Sequence, residues 1–84
     1  MAEVKIYTWA NCPYCVRAKD LFKRKSISFE EINLDGKDEE FEALKKRTGL
    51  RTIPQIFIND KLVGGYTELA KLEEDNQLDA KLKD

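Results

Sequence analysis

The sequence predicts an α/β protein with a four-stranded mixed sheet and helices on both of its faces. Two observations carry this prediction. Strand-like alternation and helical periodicity take turns along the first half of the chain, and a β-hairpin with a further helix follows. Consecutive strand–helix units place their strands parallel, whereas a hairpin adds an antiparallel neighbour. The sheet is therefore mixed, and helices must cover both faces.

Each element has a local signal. Side chains alternate along the first strand, and Val16, Ala18, Leu21 and Phe22 then recur at helical spacing. The predicted strands cover about 3–8, 28–34, 55–58 and 61–63, and the predicted helices cover about 13–25, 37–48, 67–75 and 78–82.

Residues at the element ends support these boundaries. The second helix has acidic residues in its first turn, basic residues in its last turn and Gly49 just past its end. Phe41 and Leu44 form its predicted buried face. Asn59 and Asp60 form the predicted hairpin turn, because Asn and Asp tolerate positive φ.

The second strand has an unusual apolar pattern. Ile27 and Phe29 share one parity, whereas Ile32 and Leu34 share the other. This switch predicts either a β-bulge or a strand that is covered on both faces.

Composition limits the classes of protein that fit. The 84 residues predict one domain, spanning 1–84, with a modest core. The chain has 15 basic and 16 acidic residues, and this balance argues against a nucleic-acid or membrane partner held by bulk charge. No apolar run matches a membrane span, and residues 1–4 do not resemble a signal peptide. We expect a cytoplasmic monomer.

Cys12 and Cys15 are the only cysteines, and they lie where a strand leads into a helix. Thiolate is the reactive form of cysteine, and a helix N-terminus favours it through its dipole and unpaired N–H groups. Pro13 suits the first helical position, where a missing N–H costs nothing. The pattern predicts a redox dithiol, with Cys12 as the exposed nucleophile and Cys15 as the partly buried resolving thiol.

Two other interpretations of the cysteine pair stay open at this point. A tetrahedral zinc site needs four ligands, whereas the chain offers two sulfurs and no histidine, so the metal would have to be shared between molecules. The cysteines could also be inert core residues. Redox chemistry is favoured, because a Cys-x-x-Cys pair in a reducing compartment is seldom structural. The lack of histidine also excludes Cys–His catalysis and histidine-ligated metal sites.

Two further segments each allow a structural and a functional interpretation. Pro54 is either a tolerated strand-opening proline or a cis proline beside the dithiol, which would leave the Ile53 backbone free to pair with a substrate. Residues 64–68 are either a glycine turn with a helix N-cap at Thr67 or a second helix N-terminus that binds a carboxylate. Neither segment by itself distinguishes the structural interpretation from the functional one.

Together these motifs resemble the dithiol type of glutaredoxin. Residues 12–15 match the family's CPYC active site, residues 52–58 resemble its TVPQIFI segment, and residues 64–68 resemble its GGxDD turn. Their order and spacing also fit, over essentially the whole chain. The resemblance implies a thioredoxin-like (glutaredoxin) fold with Pro54 in cis. It also implies an oxidoreductase that uses glutathione as reducing co-substrate and has no tightly bound cofactor.

The resemblance also implies a reaction and a binding site. The Cys12 thiolate attacks a disulfide-containing or glutathionylated protein, and Cys15 or glutathione resolves the mixed disulfide. Glutathione pairs with the backbone of Ile53 and places its γ-glutamyl group at Thr67 and Glu68. The implied glutathione-binding residues are Tyr14, Arg51, Thr52, Ile53, Pro54, Gly65, Tyr66, Thr67 and Glu68.

The chain departs from the family pattern in three places. Trp9 stands where many members have a lysine that favours the thiolate and binds the glycyl carboxylate of glutathione, and Arg47 and Arg51 are the candidates to replace it. Tyr66 replaces a frequent third cysteine, and Glu68 is the one acid where many relatives have two. We expect ordinary chemistry with a shifted affinity for glutathione.

Two competing functions share this fold. The first is a redoxin that thioredoxin reductase reduces and that donates electrons to a partner such as ribonucleotide reductase, but such carriers usually lack CPYC. The second is a dimer that holds a [2Fe–2S] cluster with Cys12 and two glutathiones. Pro13 disfavours the cluster, because cluster binding in this family is associated mostly with motifs that lack this proline.

Overall fold

The computed structural model describes residues 3–82, and its elements have the predicted types and order. The strands are β1 (Val4–Thr8), β2 (Glu30–Asn33), β3 (Gln55–Ile58) and β4 (Lys61–Gly64). The helices are α1 (Pro13–Arg24), α2 (Asp38–Thr48), α3 (Tyr66–Glu74) and α4 (Leu78–Leu82).

Strand β1 lies inside the sheet, between β2 and β3. The order across the sheet is β2-β1-β3-β4. β1 pairs with β2 in parallel and with β3 antiparallel, and β3 pairs with β4 antiparallel. The predicted four-stranded mixed sheet is confirmed, and its interior strand leads directly to the cysteine pair.

Two apolar cores cover the two faces of the sheet. The core beneath α1, α3 and α4 contains Val4, Ile6, Ala18, Leu21, Phe22, Ile56, Ile58, Leu69 and Leu78. The core beneath α2 contains Leu34, Leu44 and Phe57, with Phe41 packed against it. Phe29, which lies just before β2, packs on the first core, and Ile32 packs on the second. The four residues of β2 are themselves exposed or half-buried, so the prediction of a strand covered on both faces is wrong. The ladder between β2 and β1 is continuous, and the alternative of a bulge in this strand is wrong.

Strand β2 begins two residues later than predicted, and the backbone before it first closes α1. Ser26 has a φ of 57°, and the Ile27 N–H donates to the Phe22 carbonyl at 2.9 Å. Groups used in this way to end a helix cannot pair with a neighbouring strand. The first ladder pair joins Lys5 to Glu30.

The predicted turn residues are confirmed, whereas one predicted helix cap is wrong. Gly49 ends α2 with a φ of 78°, and Asn59 and Asp60 form the hairpin turn with φ values of 53° and 65°. The N-cap of α3 is Gly65, not Thr67. The Glu68 carboxylate reaches back to accept the Gly65 N–H at 2.7 Å, which sets the start of this helix before Tyr66.

A polar network joins β1, β2 and α1 close to the cysteine loop. The buried Thr8 hydroxyl donates to Glu31 Oε2 at 2.7 Å, and Lys19 Nζ donates to the same oxygen at 3.0 Å. The Thr8 hydrogen bond, followed by that of Lys19, lowers the pKa of Glu31 below its ordinary value. This carboxylate is therefore held in its ionised form.

We expect the contribution of Glu31 to stability to depend on pH. It is present above the ordinary pKa of 4.5 and is lost as pH falls through the lower folded-state pKa. Glu31→Gln should lower the free energy of unfolding at neutral pH by about 1 kcal/mol, allowing for solvent screening of a partly exposed group. Urea unfolding at several pH values measures this, with exposed Glu39→Gln as the control. A loss that stays undiminished in acid would contradict the assignment.

Candidate active site

The predicted position of the cysteine pair at a helix N-terminus is confirmed. Cys12 is the N-cap of α1, Cys15 lies one turn inside, and their sulfurs form a disulfide. The Cys15 N–H donates to Cys12 Sγ at 3.1 Å. The sulfur therefore occupies the place that a Ser, Thr or Asp oxygen usually has at a cap. A thiolate formed there meets the positive end of the helix.

The two sulfurs differ in accessibility. Cys12 is 9% exposed and Cys15 is 1% exposed, so a reactant can reach the pair only through Cys12. Cys12 is less exposed than predicted, because its Sγ lies 3.8 Å from the Ile53 carbonyl oxygen. In the reduced protein a thiol can donate its hydrogen there, whereas a disulfide sulfur has none to donate.

A groove of about 360 Å³ lies beside the cysteine pair. Its lining residues are Tyr14, Thr52, Ile53, Pro54, Gly65, Tyr66, Thr67 and Glu68. The fold thus brings together eight of the nine residues named above as the implied glutathione site. The Ile53–Pro54 peptide bond is cis, as the resemblance implies. Tyr14 is 53% exposed, and its ring lies 6.0 Å from that of Tyr66.

The N-terminus of α3 closes one end of this groove. The hydrogen bond of Glu68 to Gly65 holds its carboxylate against residues 64 and 65. Gly64 has a φ of 124°, and a Cβ there would lie 2.7 Å from Glu68 Oε1. A glycine is therefore required at position 64 for the close approach of this carboxylate to the turn.

Arg51 does not line the groove. It lies in a separate depression with Lys45 and Lys46 of α2. The buried Gln55 amide donates to the carbonyls of residues 50 and 52, at 3.0 and 3.2 Å, and so anchors the loop on both sides of Arg51. The Arg51 side chain leaves this loop on the α2 side.

Gln55 is a supporting residue to which the sequence analysis assigned no role. It is fully buried in β3, where the other side chains are apolar. The amide nitrogen of a buried glutamine in an apolar strand needs hydrogen-bond acceptors, and that pattern was the available signal.

The positions near Trp9 also differ from expectation. Trp9 packs edge-on against Phe41 with ring centroids 5.0 Å apart. Arg47, the other candidate to replace the family lysine, lies 4.8 Å from the Phe57 ring centroid and does not line the groove either. Lys19, a further cation on α1, forms an ion pair with Glu31. Neither arginine lines the groove beside Cys12.

The fold and the site define a thiol–disulfide oxidoreductase. An accessible sulfur at a helix N-terminus, paired with a buried one, is the arrangement that accepts and releases two electrons by disulfide exchange. Within residues 3–82, no group of three or more His, Cys, Asp or Glu side chains is placed to hold a metal ion. None of the helices described is long and apolar enough to cross a membrane.

Comparison with known proteins gives the family. A glutaredoxin family model matches residues 4–63. The chain is 49% identical over 82 residues to a glutaredoxin of Pseudomonas aeruginosa, with 98% of each chain covered. It is 46% identical over 83 residues to glutaredoxin 3 of Escherichia coli K12, covering 99% of this chain and 100% of the relative. The chain belongs to the glutaredoxin family.

Solved structures confirm the thioredoxin-like fold. A crystal structure of a buckwheat glutaredoxin–glutathione complex superposes with a TM-score of 0.92 at 31% identity, covering 95% of this chain and 76% of that one. A solution structure of a Brucella melitensis glutaredoxin gives a TM-score of 0.88 at 44% identity, covering 99% and 90%.

The difference in accessibility predicts the order of thiol reactivity. In the reduced protein at neutral pH, we expect Cys12 to react with limiting iodoacetamide at least about tenfold faster than Cys15. Trypsin leaves both cysteines in one peptide, residues 6–17, so fragment-ion mass spectrometry must assign the label. Labelling in denaturant, where both thiols are exposed, is the control. Equal labelling of the folded protein would contradict the assigned roles.

Proposed function

We propose that this glutaredoxin is a glutathione-dependent oxidoreductase that reduces protein disulfides and glutathione mixed disulfides. It acts as a monomer with one domain, residues 1–84, in the reducing cytoplasm. The groove beside Cys12 is the observation that supports this best. It combines a helix N-terminus, a carboxylate and free backbone groups, which suit a peptide with two carboxylates and an amine. The buckwheat relative was crystallised with glutathione.

Each part of glutathione has a counterpart in the groove. The first helical hydrogen bond of α3 runs from Leu69 to Gly65, so the N–H groups of Tyr66 and Thr67 are free of helical partners. They bind the γ-glutamyl carboxylate, and Glu68 binds the neighbouring amine. The cysteinyl backbone pairs with Ile53, whose carbonyl already lies next to Cys12 Sγ. This pairing brings the glutathione sulfur to Cys12.

For a glutathionylated protein, one thiol is sufficient. The Cys12 thiolate attacks the glutathione sulfur, a Cys12–glutathione disulfide forms, and the protein thiolate leaves and takes up a proton. A second glutathione thiolate attacks the glutathione sulfur of this adduct. The products are oxidised glutathione and the regenerated Cys12 thiolate.

A protein disulfide requires both cysteines. Cys12 forms a mixed disulfide with the protein, and the Cys15 thiolate then attacks the Cys12 sulfur and releases the protein as a dithiol. The resulting Cys12–Cys15 disulfide is the state that the structure contains. Two glutathione molecules return it to the dithiol and leave as oxidised glutathione.

We expect the two cysteine variants to separate these routes. Cys15→Ser should lose reduction of protein disulfides and keep reduction of glutathione mixed disulfides, whereas Cys12→Ser should lose both. NADPH consumption with glutathione and glutathione reductase measures both activities, and thioredoxin reductase without glutathione is the parallel arm. Rapid reduction by thioredoxin reductase alone would contradict the proposed dependence on glutathione.

The charge of Glu68 should affect glutathione affinity without affecting the fold. Glu68→Gln keeps an oxygen that can accept the Gly65 N–H and removes the charge opposite the substrate amine. We expect the KM for glutathione to rise about two- to fivefold, the range for one exposed ion pair, with kcat unchanged. Glu40→Gln, on the exposed first turn of α2, is the matched control. An unchanged KM would remove Glu68 from the proposed site.

A further inference from the structure

A second pocket, of about 450 Å³, begins at the residues just before Cys12. It includes Trp9 and Asn11, and it shares no lining residue with the glutathione groove. Phe41 forms an aromatic wall with Trp9, and Asp35 and Asp38 contribute two carboxylates. We refer to these five residues as the Trp9 pocket. The chemistry proposed above does not use them.

The two carboxylates of the Trp9 pocket form no ion pair within the described part of the chain. Asp35 Oδ2 accepts the Ala10 N–H at 3.0 Å, and neither Asp35 nor Asp38 is among the acidic residues that form ion pairs within residues 3–82. Lys37, which lies between them in the sequence, pairs with neither. These carboxylates are therefore available to a cationic ligand.

The aromatic wall suits the same kind of ligand. Trp9 is 36% exposed, and indole is the best of the aromatic rings for binding a cation. One face of the Phe41 ring already has Lys45 Nζ 4.7 Å from its centroid. An accessible indole next to carboxylates matches a guanidinium group, which can stack on a ring and donate hydrogen bonds in its own plane.

The distance to the reactive sulfur fits a residue of the substrate polypeptide. Asn11 adjoins Cys12, and the three residues from Trp9 to Cys12 span at most about 11 Å. We propose that the Trp9 pocket binds an arginine or lysine side chain of the protein substrate, two or three residues from the cysteine that is reduced. This proposal rests on the proposed function, because the substrate cysteine must lie close to Cys12 during disulfide exchange when its neighbouring side chain is bound.

Two pairs of glutathionylated peptides test the proposal. The members of each pair differ only in carrying arginine or norleucine two residues from the cysteine, on its N-terminal side in one pair and on its C-terminal side in the other. We expect kcat/KM to favour the arginine peptide about fivefold, equivalent to about 1 kcal/mol at 1.4 kcal/mol per tenfold change. The preference should decrease as salt is added.

Variants assign the preference to the pocket. In the double variant Asp35→Asn and Asp38→Asn, we expect the preference to fall below about twofold, since the ionic attraction is lost. The asparagine at 35 still accepts the Ala10 N–H. The control, Glu39→Gln with Glu40→Gln, makes the same change in charge on α2 outside the pocket and should keep the preference. The proposal would be overturned if the double asparagine variant kept the full preference for arginine peptides. It would also be overturned if the unmodified protein showed no such preference.

A binding measurement distinguishes this proposal from the proposed function. Trp9 is the only tryptophan, so its fluorescence reports on the pocket directly. A cysteine-free arginine peptide should change the emission, and its norleucine counterpart should not. If a glutathione mixed disulfide of β-mercaptoethanol is reduced but the arginine peptide has no effect, the pocket proposal fails and the proposed function stands. If that small disulfide is not reduced, the proposed function fails, and the titration alone decides on the pocket.

Discussion

The position of one sulfur atom, Cys12 Sγ at the N-terminus of α1, is the constraint on which the site depends. Strand β1 brings the chain from inside the sheet to this point, and the Cys15 N–H then donates to the sulfur as it would to a capping oxygen. The Ile53 carbonyl approaches the same sulfur from a segment 41 residues away in sequence. Accessibility, thiolate stabilisation and contact with the groove therefore all depend on the same helix terminus.

Polar groups behind the site hold its loops in place. Gln55 binds the loop before Pro54, Glu68 binds the glycine turn before α3, and Glu31 joins Thr8 to Lys19. Each is a polar side chain with defined partners near an apolar core, so moving any of these loops would cost hydrogen bonds as well as packing. The site is positioned by this network as much as by the sheet.

The surface around Cys12 is divided between two chemically different depressions. One has the N-terminus of α3 and the Glu68 carboxylate, on which the proposed glutathione site rests. The other has Trp9 and two carboxylates that form no ion pair within residues 3–82, which favours a cation. Because they share no lining residue, the proposed side-chain site and the proposed glutathione site can be altered independently. Trp9, which stands where many family members have a lysine, lines the second depression.

The sequence by itself determined the elements, their order and the location of the dithiol. These features depend on signals between residues a few positions apart: periodicity in α1, Gly49 at the end of α2, the Asn59–Asp60 turn, and two cysteines within one helical turn. Such interactions form wherever the segment lies, so local chemistry is sufficient to predict them. The set of residues that line the groove could be predicted from the sequence only through family resemblance, since no local signal connects Tyr14 with residues 52–54 or 65–68.

Only the tertiary structure decided which distant side chains share a surface. Arg51 lies beside α2 rather than in the groove, and the N-cap of α3 is Gly65 rather than the predicted Thr67. Trp9 lies together with Phe41 and Asp38 in one pocket. These outcomes depend on strand order, register and competition for a few buried hydrogen-bond partners. No window of sequence contains that information, because the packing of the whole chain sets the energies involved.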